Sequence, residues 1–579
     1  MDTALVAKHC LARESKLFAA FERRRQLLLD VAREIYPVGI AGLTRGVEEI
    51  ADGYVYDEDH RLLTTAPMEC LRQGAAGFHG NLTSPSTRWF RFALPSFMVK
   101  GGRPDHGQRL TLDNLTEAVE HTFERSNAYS QLHKAYEHLL AFGFACMLVS
   151  DDPERVARVE TLRVGTYALD IGEDGMVDTC VRRFAWTAAQ IVRQFGRESC
   201  PQYVLDAVED QSKRFEVCNL IEPNACGDAR VNDRVAREIG MDDTTVYRSI
   251  YFLKNAAGQK ADGILRVVGF SIRPIVAPRM EYELGDVYGR GRGIDALDNC
   301  RGCQSFKFDE LNIVGNMSQP AMLADSELKD EGLKMYRGAV NYTRFGEQRA
   351  SMAVPVLPNP PSPDGARQER SDSLAEIARL FYNDAFSVID AIKRGDTGRM
   401  TATEVEAHVR EAMQRLAPVA TIFDSELLDP LVAIMAKYTV PRMPSPLTPE
   451  DARMLESVKV EYVSAIHLAQ KQTSLSAIQQ VLEMAGGIAK TGAPSVLHRI
   501  EWDKALVRIA TLVGYPEDCL ASDEAYEAAV QADREAAARQ ARADEAAQAA
   551  AAAKDIGDIP IDEGHAGSQV AAAMQRGML

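Results

Sequence analysis

Apolar positions recur at spacings of three and four along most of the chain, and alternate only in its second quarter. The clearest stripe, Leu374, Ile377, Ala378, Phe381, Ala385, Val388 and Ile392, predicts one helix over residues 366–392. A basic, glycine-bracketed stretch follows: Lys393, Arg394, Gly395, Asp396, Thr397, Gly398, Arg399. Thr401 and Glu404 then have capping-box spacing, and Val405, Val409, Ala412 and Leu416 start a second stripe. Pro418 is expected to kink this helix without ending it, because apolar periodicity resumes through Phe423, Leu427, Leu431 and Met435.

The remaining pattern reads in chain order. Residues 1–36 form an amphipathic helix closed by Pro37, with Arg23, Arg24 and Arg25 as a solvated face. A small-residue helix over 67–80 stops at Gly80, a turn follows at Ser84-Pro85, and Trp89 and Phe90 are core anchors. Helical spacing covers 114–148 and ends in the apolar run 141–148. Strand patterns at 156–169, 175–185, 246–253 and 265–275, with a turn at Gly172–Gly175 and a short helix at 187–195, predict an α+β domain of antiparallel hairpins. A proline-punctuated β module at 320–363 lies between helices 294–316 and 366–392, which must then run antiparallel. Residues 449–486 read as one helix or two, and 502–513 as another. The alanine-dominated stretch 521–554 should be a single helix, either a solvated tail or one packed against copies of itself. The last residues, 555–579, look frayed.

Composition narrows the chemistry. With 66 Lys and Arg against 83 Asp and Glu, the net charge of −17 argues against tight nonspecific nucleic-acid binding, which depends on neutralising phosphates. Ten scattered cysteines suit buried thiols in a reducing compartment. No signal-peptide core opens the chain, and the run 139–149 is too short to cross a bilayer, so a soluble cytosolic protein is expected.

Enzyme motifs are weak. Gly289-Arg290-Gly291-Arg292-Gly293 precedes a helix but lacks the leading strand and full fingerprint of a nucleotide site, so a flexible joint is the favoured reading. Ala489 occupies the glycine position that a phosphate loop needs before Lys490. Cys300 and Cys303 have no second pair to complete a metal tetrahedron and read as buried thiols. His133 and His138 lie five apart, off the spacing that shares a helix face, and read as ordinary polar residues. No catalytic residue, metal or cofactor is expected.

Five stretches in fixed order, Gly80–Phe90, Val177–Thr187, Tyr288–Gly291, Met400–Val405 and Ser425–Leu431, resemble the head–tail connector, or portal, proteins of short-tailed (podovirus-type) bacteriophages. The resemblance reaches to about residue 520. It implies a ring, typically a dodecamer, at one capsid vertex, through which double-stranded DNA is packaged and ejected. It implies a phage portal fold: an α+β wing at 1–292, a two-helix stem at 293–316 and 365–391, and a small β-rich clip at 317–364. A tunnel loop at 392–400, a long kinked helix at 401–440, a helical crown at 441–521, and a C-terminal helical barrel with a disordered tail at 522–579 complete it. Lys393, Arg394 and Arg399 would be the tunnel-loop groups that touch DNA. Terminase, which would carry the ATP hydrolysis, and then the tail adaptor would dock on the clip, and the major capsid protein would meet the wing. The protein would lie in the virion, and in host cytoplasm during assembly. The alternative is a cytosolic α+β enzyme using Cys300 and Cys303 or the segment 289–293.

Overall fold

One apolar face builds the first helix, α1 (Thr3–Ile35), in which Val6, Cys10, Phe21, Leu28, Val31 and Ile35 are buried. The structure, a computed structural model, describes residues 3–51, 62–95, 106–225, 231–232, 235, 245–254, 261–318, 322–323, 354–355, 362–393, 402–443, 458–464, 466–467, 478, 480–488, 500, 502, 505–506, 509–510 and 523–557. Labels here cover helices of eight residues or more. The helix ends before Pro37, as expected, and Pro37 starts a separate 3-10 turn. Of the three arginines, two do more than solvate a face. Arg24 donates to the Tyr288 carbonyl at 3.3 Å, and Arg25 donates to the Leu43 carbonyl at 2.9 Å.

Helix α2 (Ala66–Leu82) continues past Gly80, the expected stop, to Leu82. Strand β1 (Phe90–Ala93) follows, with Trp89 and Phe90 buried as anchors. Helices α3 (His106–Arg125) and α4 (Ala128–Phe142) come next. The run 141–148 does not extend the helix. Gly143, at φ 88°, takes the left-handed turn that ends α4, and the chain enters β2 (Met147–Asp152).

The α+β domain is as expected in kind. Strands β3 (Val156–Thr161), β4 (Tyr167–Ile171) and β5 (Val177–Thr187) lead to α5 (Ala188–Phe195), where Thr187 and Gln190 form a capping box. Then come β6 (Arg214–Pro223), β7 (Tyr247–Lys254), β8 (Ala261–Phe270) and β9 (Ile275–Val276). They make an antiparallel sheet ordered β4-β5-β6-β7-β8 and a smaller one ordered β3-β2-β9. Alternation along β6 divides the faces. Glu216 and Glu222 point to α1, where Glu14 and His9 meet their networks, while Val217 packs on the other face with Ala188, Ile191, Leu253 and Leu265.

Helix α6 (Leu297–Ser318) and the paired strands β10 (Met322–Leu323) and β11 (Val354–Pro355) precede α7 (Asp364–Leu380). Glu310 of α6 meets Arg367 at 3.0 Å and Arg370 at 3.3 Å, while Cys303 reaches the Arg370 carbonyl at 3.9 Å. The falling partner numbers make α6 and α7 antiparallel, as the insertion between them requires. The single helix expected over 366–392 is two. It breaks at Tyr382, φ 64°, and resumes as α8 (Asn383–Lys393). The break turns Tyr382 and Phe386 onto Phe78 of α2, with ring centroids 5.6 and 4.9 Å away.

Helix α9 (Ala402–Phe423) runs through Pro418 without ending. Its register changes later, in a π turn at Asp424–Leu428, from which α10 (Asp429–Thr439) begins with Pro430 in its first turn. The expected helix over 449–486 fails at β12 (Lys459–Tyr462), an antiparallel partner of β1 with Phe90 opposite Tyr462. Residues 480–488 are helical. The chain divides into two units, residues 1–93 with 114–513, and residues 94–113 with 514–579. The second holds α11 (Asp523–Gly557), the expected alanine-rich helix, along which Val530 alone is partly covered between residues 525 and 549.

Two glycines of α2 exist for what lies against them. A Cβ on Gly77 would stand 2.2 Å from Cδ2 of Phe386, and one on Gly74 would stand 2.5 Å from the Phe381 carbonyl oxygen. Gly80, in the same helix, faces open space. Gly77→Ala should therefore cost about 1–3 kcal/mol by overpacking. Gly80→Ala should gain up to about 1 kcal/mol from helix propensity. Thermal unfolding of the two variants checks the opposite signs, and equal shifts would contradict the packing.

Candidate functional site

The basic stretch singled out by sequence joins α8 to α9. Lys393 is the last residue of α8 and its side chain is not described; Arg394 and Arg399 lie outside the described residues, as do Thr401 and the capping box expected there. The base that carries this stretch is fully described. Phe78 sits at the centre of an aromatic cluster with Tyr136, Tyr382, Phe386 and Phe423, so α2, α4, α8 and α9 share one core. Arg415 of α9 clamps the base from outside, bonding the Asp384 carboxylate at 2.5 Å and the Arg379 carbonyl at 2.8 Å. Arg292 donates to the Tyr382 hydroxyl at 3.0 Å, fixing the α7–α8 break.

The π turn is the second anchor, and sequence reading missed it. Its Glu426, 3 % exposed, accepts from the Arg279 backbone N–H at 2.7 Å, from Arg279 Nε at 3.2 Å and from a terminal nitrogen at 2.6 Å. The guanidinium also donates to the carbonyls of Asp286 at 2.7 Å and Gly175 at 2.9 Å, and lies 3.9 Å over the Tyr282 ring. Asp424 bonds His467 Nε2 at 2.7 Å, while the other ring nitrogen meets Ser464 Oγ at 2.7 Å. Asp429 accepts from the Tyr462 hydroxyl, whose pKa burial and that carboxylate push up. Three acidic side chains of one short segment thus tie the helix to the 279–286 loop, to β12 and to residues 464–467.

A signal for this turn was present. Phe423, Leu427, Leu431 and Met435 repeat every four residues, which on an α-helix drifts by about 40° per step. One wide turn absorbs the surplus residue.

The residues named for an enzyme reading are occupied otherwise. Cys300 and Cys303 are buried, and burial pushes both thiols up. The segment 289–293 is no flexible joint. A Cβ on Gly289, Gly291 or Gly293 would stand 2.2, 2.4 and 2.4 Å from the Met280 carbonyl, the Gly143 nitrogen and the Ala141 carbonyl, so the glycines let two backbones touch. His138 is a buried polar residue. It packs edge-on to Tyr36 and Phe142, and burial lowers its pKa to about 4. His133 stays half-exposed, 3.7 Å from Glu137.

Glu14, Glu216 and Cys218 place donor atoms within 4.8 Å of one another. Arg183 and Lys254 already share Glu14 Oε1, at 2.6 and 2.9 Å, and burial pushes the Cys218 thiol up, so the group is a neutralised ion cluster with little pull on a metal. Among the described residues no helix is long and apolar enough to cross a membrane.

Comparison with known proteins gives a consistent result. A family model for the bacteriophage head to tail connecting protein matches residues 8–520. The portal protein of Salmonella phage epsilon15 is 28 % identical over 530 residues, covering 90 % of this chain and 88 % of that one. The probable portal protein of Bordetella phage BPP-1 is 26 % identical over 495 residues, covering 83 % and 84 %. A chain from the virion of a native gene transfer agent particle superposes over 76 % of this chain and 93 % of its own, at 12 % identity and a TM-score of 0.31, too loose a likeness to bear on function.

Proposed function

The chain belongs to the bacteriophage head to tail connecting protein family, and from that premise we propose that it is a portal subunit at the capsid vertex, part of the virion. The observation that carries this is coverage: the match runs through residues 8–520 and takes in more than four-fifths of two portal proteins. Copies close into a ring, with twelve the expected number, and double-stranded DNA passes through its hole during packaging and ejection.

Within that ring, α6 and α7 serve as the stem, held together by Glu310 and its arginines, and the 317–364 insertion serves as the clip. The clip meets terminase first and the tail adaptor afterwards, while the wing meets the capsid shell. The α8–α9 connection, with Lys393, Arg394 and Arg399, points at the hole as the tunnel loop. An excess of 17 negative charges per copy suits a channel that must not hold its cargo. Acidic walls repel the duplex and keep it centred, and a few cations touch it briefly. The exposed α11 gains a purpose, since small side chains let neighbouring copies pack closely around the axis.

The enzyme alternative has no support: its two cysteines are core residues, and its glycine segment packs against backbone. Negative-stain images of the purified full chain should show closed rings with a central hole. Particles that stay monomeric, without holes, at every concentration would sink the reading.

A further inference from the structure

Cys146 and Cys180 meet sulfur to sulfur at 3.8 Å in the interior, and neither is more than 1 % exposed. Among the eight described cysteines they are the only two whose sulfurs are in hydrogen-bonding contact. They come from different sheets. Cys146 directly precedes β2, and its carbonyl accepts from the Leu162 N–H at 2.8 Å. Cys180 stands within β5, between Leu169 of β4 and Ile221 of β6. The two sheets share no strand, and side chains join them across the gap. Arg182 of β5 bonds Glu160 of β3 at 3.1 Å at the rim, and the two thiols meet in the interior.

A disulfide holds its sulfurs about 2.05 Å apart, so closure asks each of these to move by about 0.9 Å. One side-chain torsion at each cysteine supplies a swing of that size. The contact with Cys180, and then burial, pushes the Cys146 thiol well up, so the pair keeps its protons and stays unreactive while the fold is shut. Oxidation therefore waits for local opening of one sheet against the other. That makes the pair slow, suited to a single change of surroundings and not to rapid sensing. Once made, the bond would close a loop across 34 positions and oppose the opening that admitted the oxidant.

We propose that Cys146 and Cys180 form a redox clamp: two thiols while the chain assembles in reducing cytoplasm, and one disulfide stapling the two sheets once the particle stands in oxidising surroundings. The proposal rests on the virion reading above and adds a covalent state to it. The oxidant is a small-molecule disulfide. The first cysteine exposed loses its proton and attacks one sulfur of that disulfide, forming a mixed disulfide and releasing one small thiolate, which takes up the proton. The second cysteine, as thiolate, attacks the protein sulfur of the mixed disulfide, closes the Cys146–Cys180 bond and releases the second small thiol. Two protein thiols are oxidised, and one small disulfide is reduced to two thiols.

The test uses the purified full chain, incubated with oxidised glutathione, alkylated and cut with trypsin without reduction. Trypsin places the two cysteines in separate peptides, residues 135–155 and 164–182, each with no other cysteine. Mass spectrometry should find these peptides joined and lighter by two hydrogens in most of the oxidised chain. The oxidised chain should melt about 3 °C or more above the reduced one, and a phosphine reductant should reverse both changes. Cys180→Ser, with one thiol of the pair left, should give neither the joined peptide nor the shift. Should that variant fail to fold, the wild-type chain held in the phosphine supplies the same comparison. Particles collected outside the host should carry the joined peptide, whereas chain alkylated inside intact host cells should carry both thiols free. Free thiols in the oxidised chain or in released particles, or a joined peptide without a melting shift, overturns the clamp. None of these results bears on whether the chain forms rings, which negative stain of the reduced protein decides separately.

Discussion

Glu426→Ala should destabilise the larger unit by about 3–5 kcal/mol, the cost of leaving a buried charge without its partner. Arg279 and Glu426 are 1 % and 2 % exposed at their side chains, so water cannot replace the lost carboxylate. The guanidinium would keep the Asp286 and Gly175 carbonyls and the Tyr282 ring, none of which carries a full negative charge. The Arg279 backbone N–H would also lose its acceptor. Glu426→Gln preserves shape and some hydrogen bonding but not the charge, and should fall between wild type and alanine. Replacing both partners, Arg279→Met with Glu426→Leu, removes the stranded charge and should recover most of the loss. Guanidinium unfolding of the four proteins compares their stabilities. A loss below about 1 kcal/mol for Glu426→Ala would put the pair with ordinary surface bridges and contradict its geometry.

This pair also marks where sequence reading stops. Local patterns carried far: α1 with its Pro37 stop, the Trp89–Phe90 anchors, the Gly172–Gly175 hairpin, the short helix after Thr187 and the alanine-rich α11 all follow from a few neighbouring residues. Errors arise where a distant partner decides. Residues 459–462 become a strand because β1, some 370 positions earlier, offers an edge, and four residues are too few for alternation to compete with flanking helical spacing. The run 141–148 reads as one apolar segment, yet Gly143 splits it because Gly291 and Gly293 press on the end of α4. The α7–α8 break is invisible in the stripe, since Ile377, Phe381 and Ala385 are buried on both sides of it. A buried arginine has no pattern at all. Arg248 and Arg279 read as surface residues until Glu222 and Glu426 are placed against them. For the candidate site, composition and glycine bracketing pointed to the α8–α9 connection, but the base that carries it came only with the packing of Phe78 against four rings.

Changing Lys393, Arg394 and Arg399 together to alanine should reduce packaged DNA by about tenfold while rings assemble normally, because under the proposed tunnel-loop role each copy would lose three phosphate contacts. The two halves of this expectation have separate causes. Assembly should survive because the anchors of the base, Arg415 with Asp384 and the aromatic cluster around Phe78, do not involve the three residues. Packaging should suffer because the effect is multiplied around a ring: a contact too weak to matter in one copy acts in every copy at once. Electrostatic contact also predicts a salt signature. DNA retained by wild-type rings should leak more as ionic strength rises, whereas the triple variant should start leaky and respond less, its slope reduced with the number of lost contacts. Genome yield per particle and release against salt concentration measure both. Unaltered packaging with an unaltered salt slope would return the three cations to the role of a solvated loop, and the basic group that touches the duplex would have to be sought on another channel-facing segment.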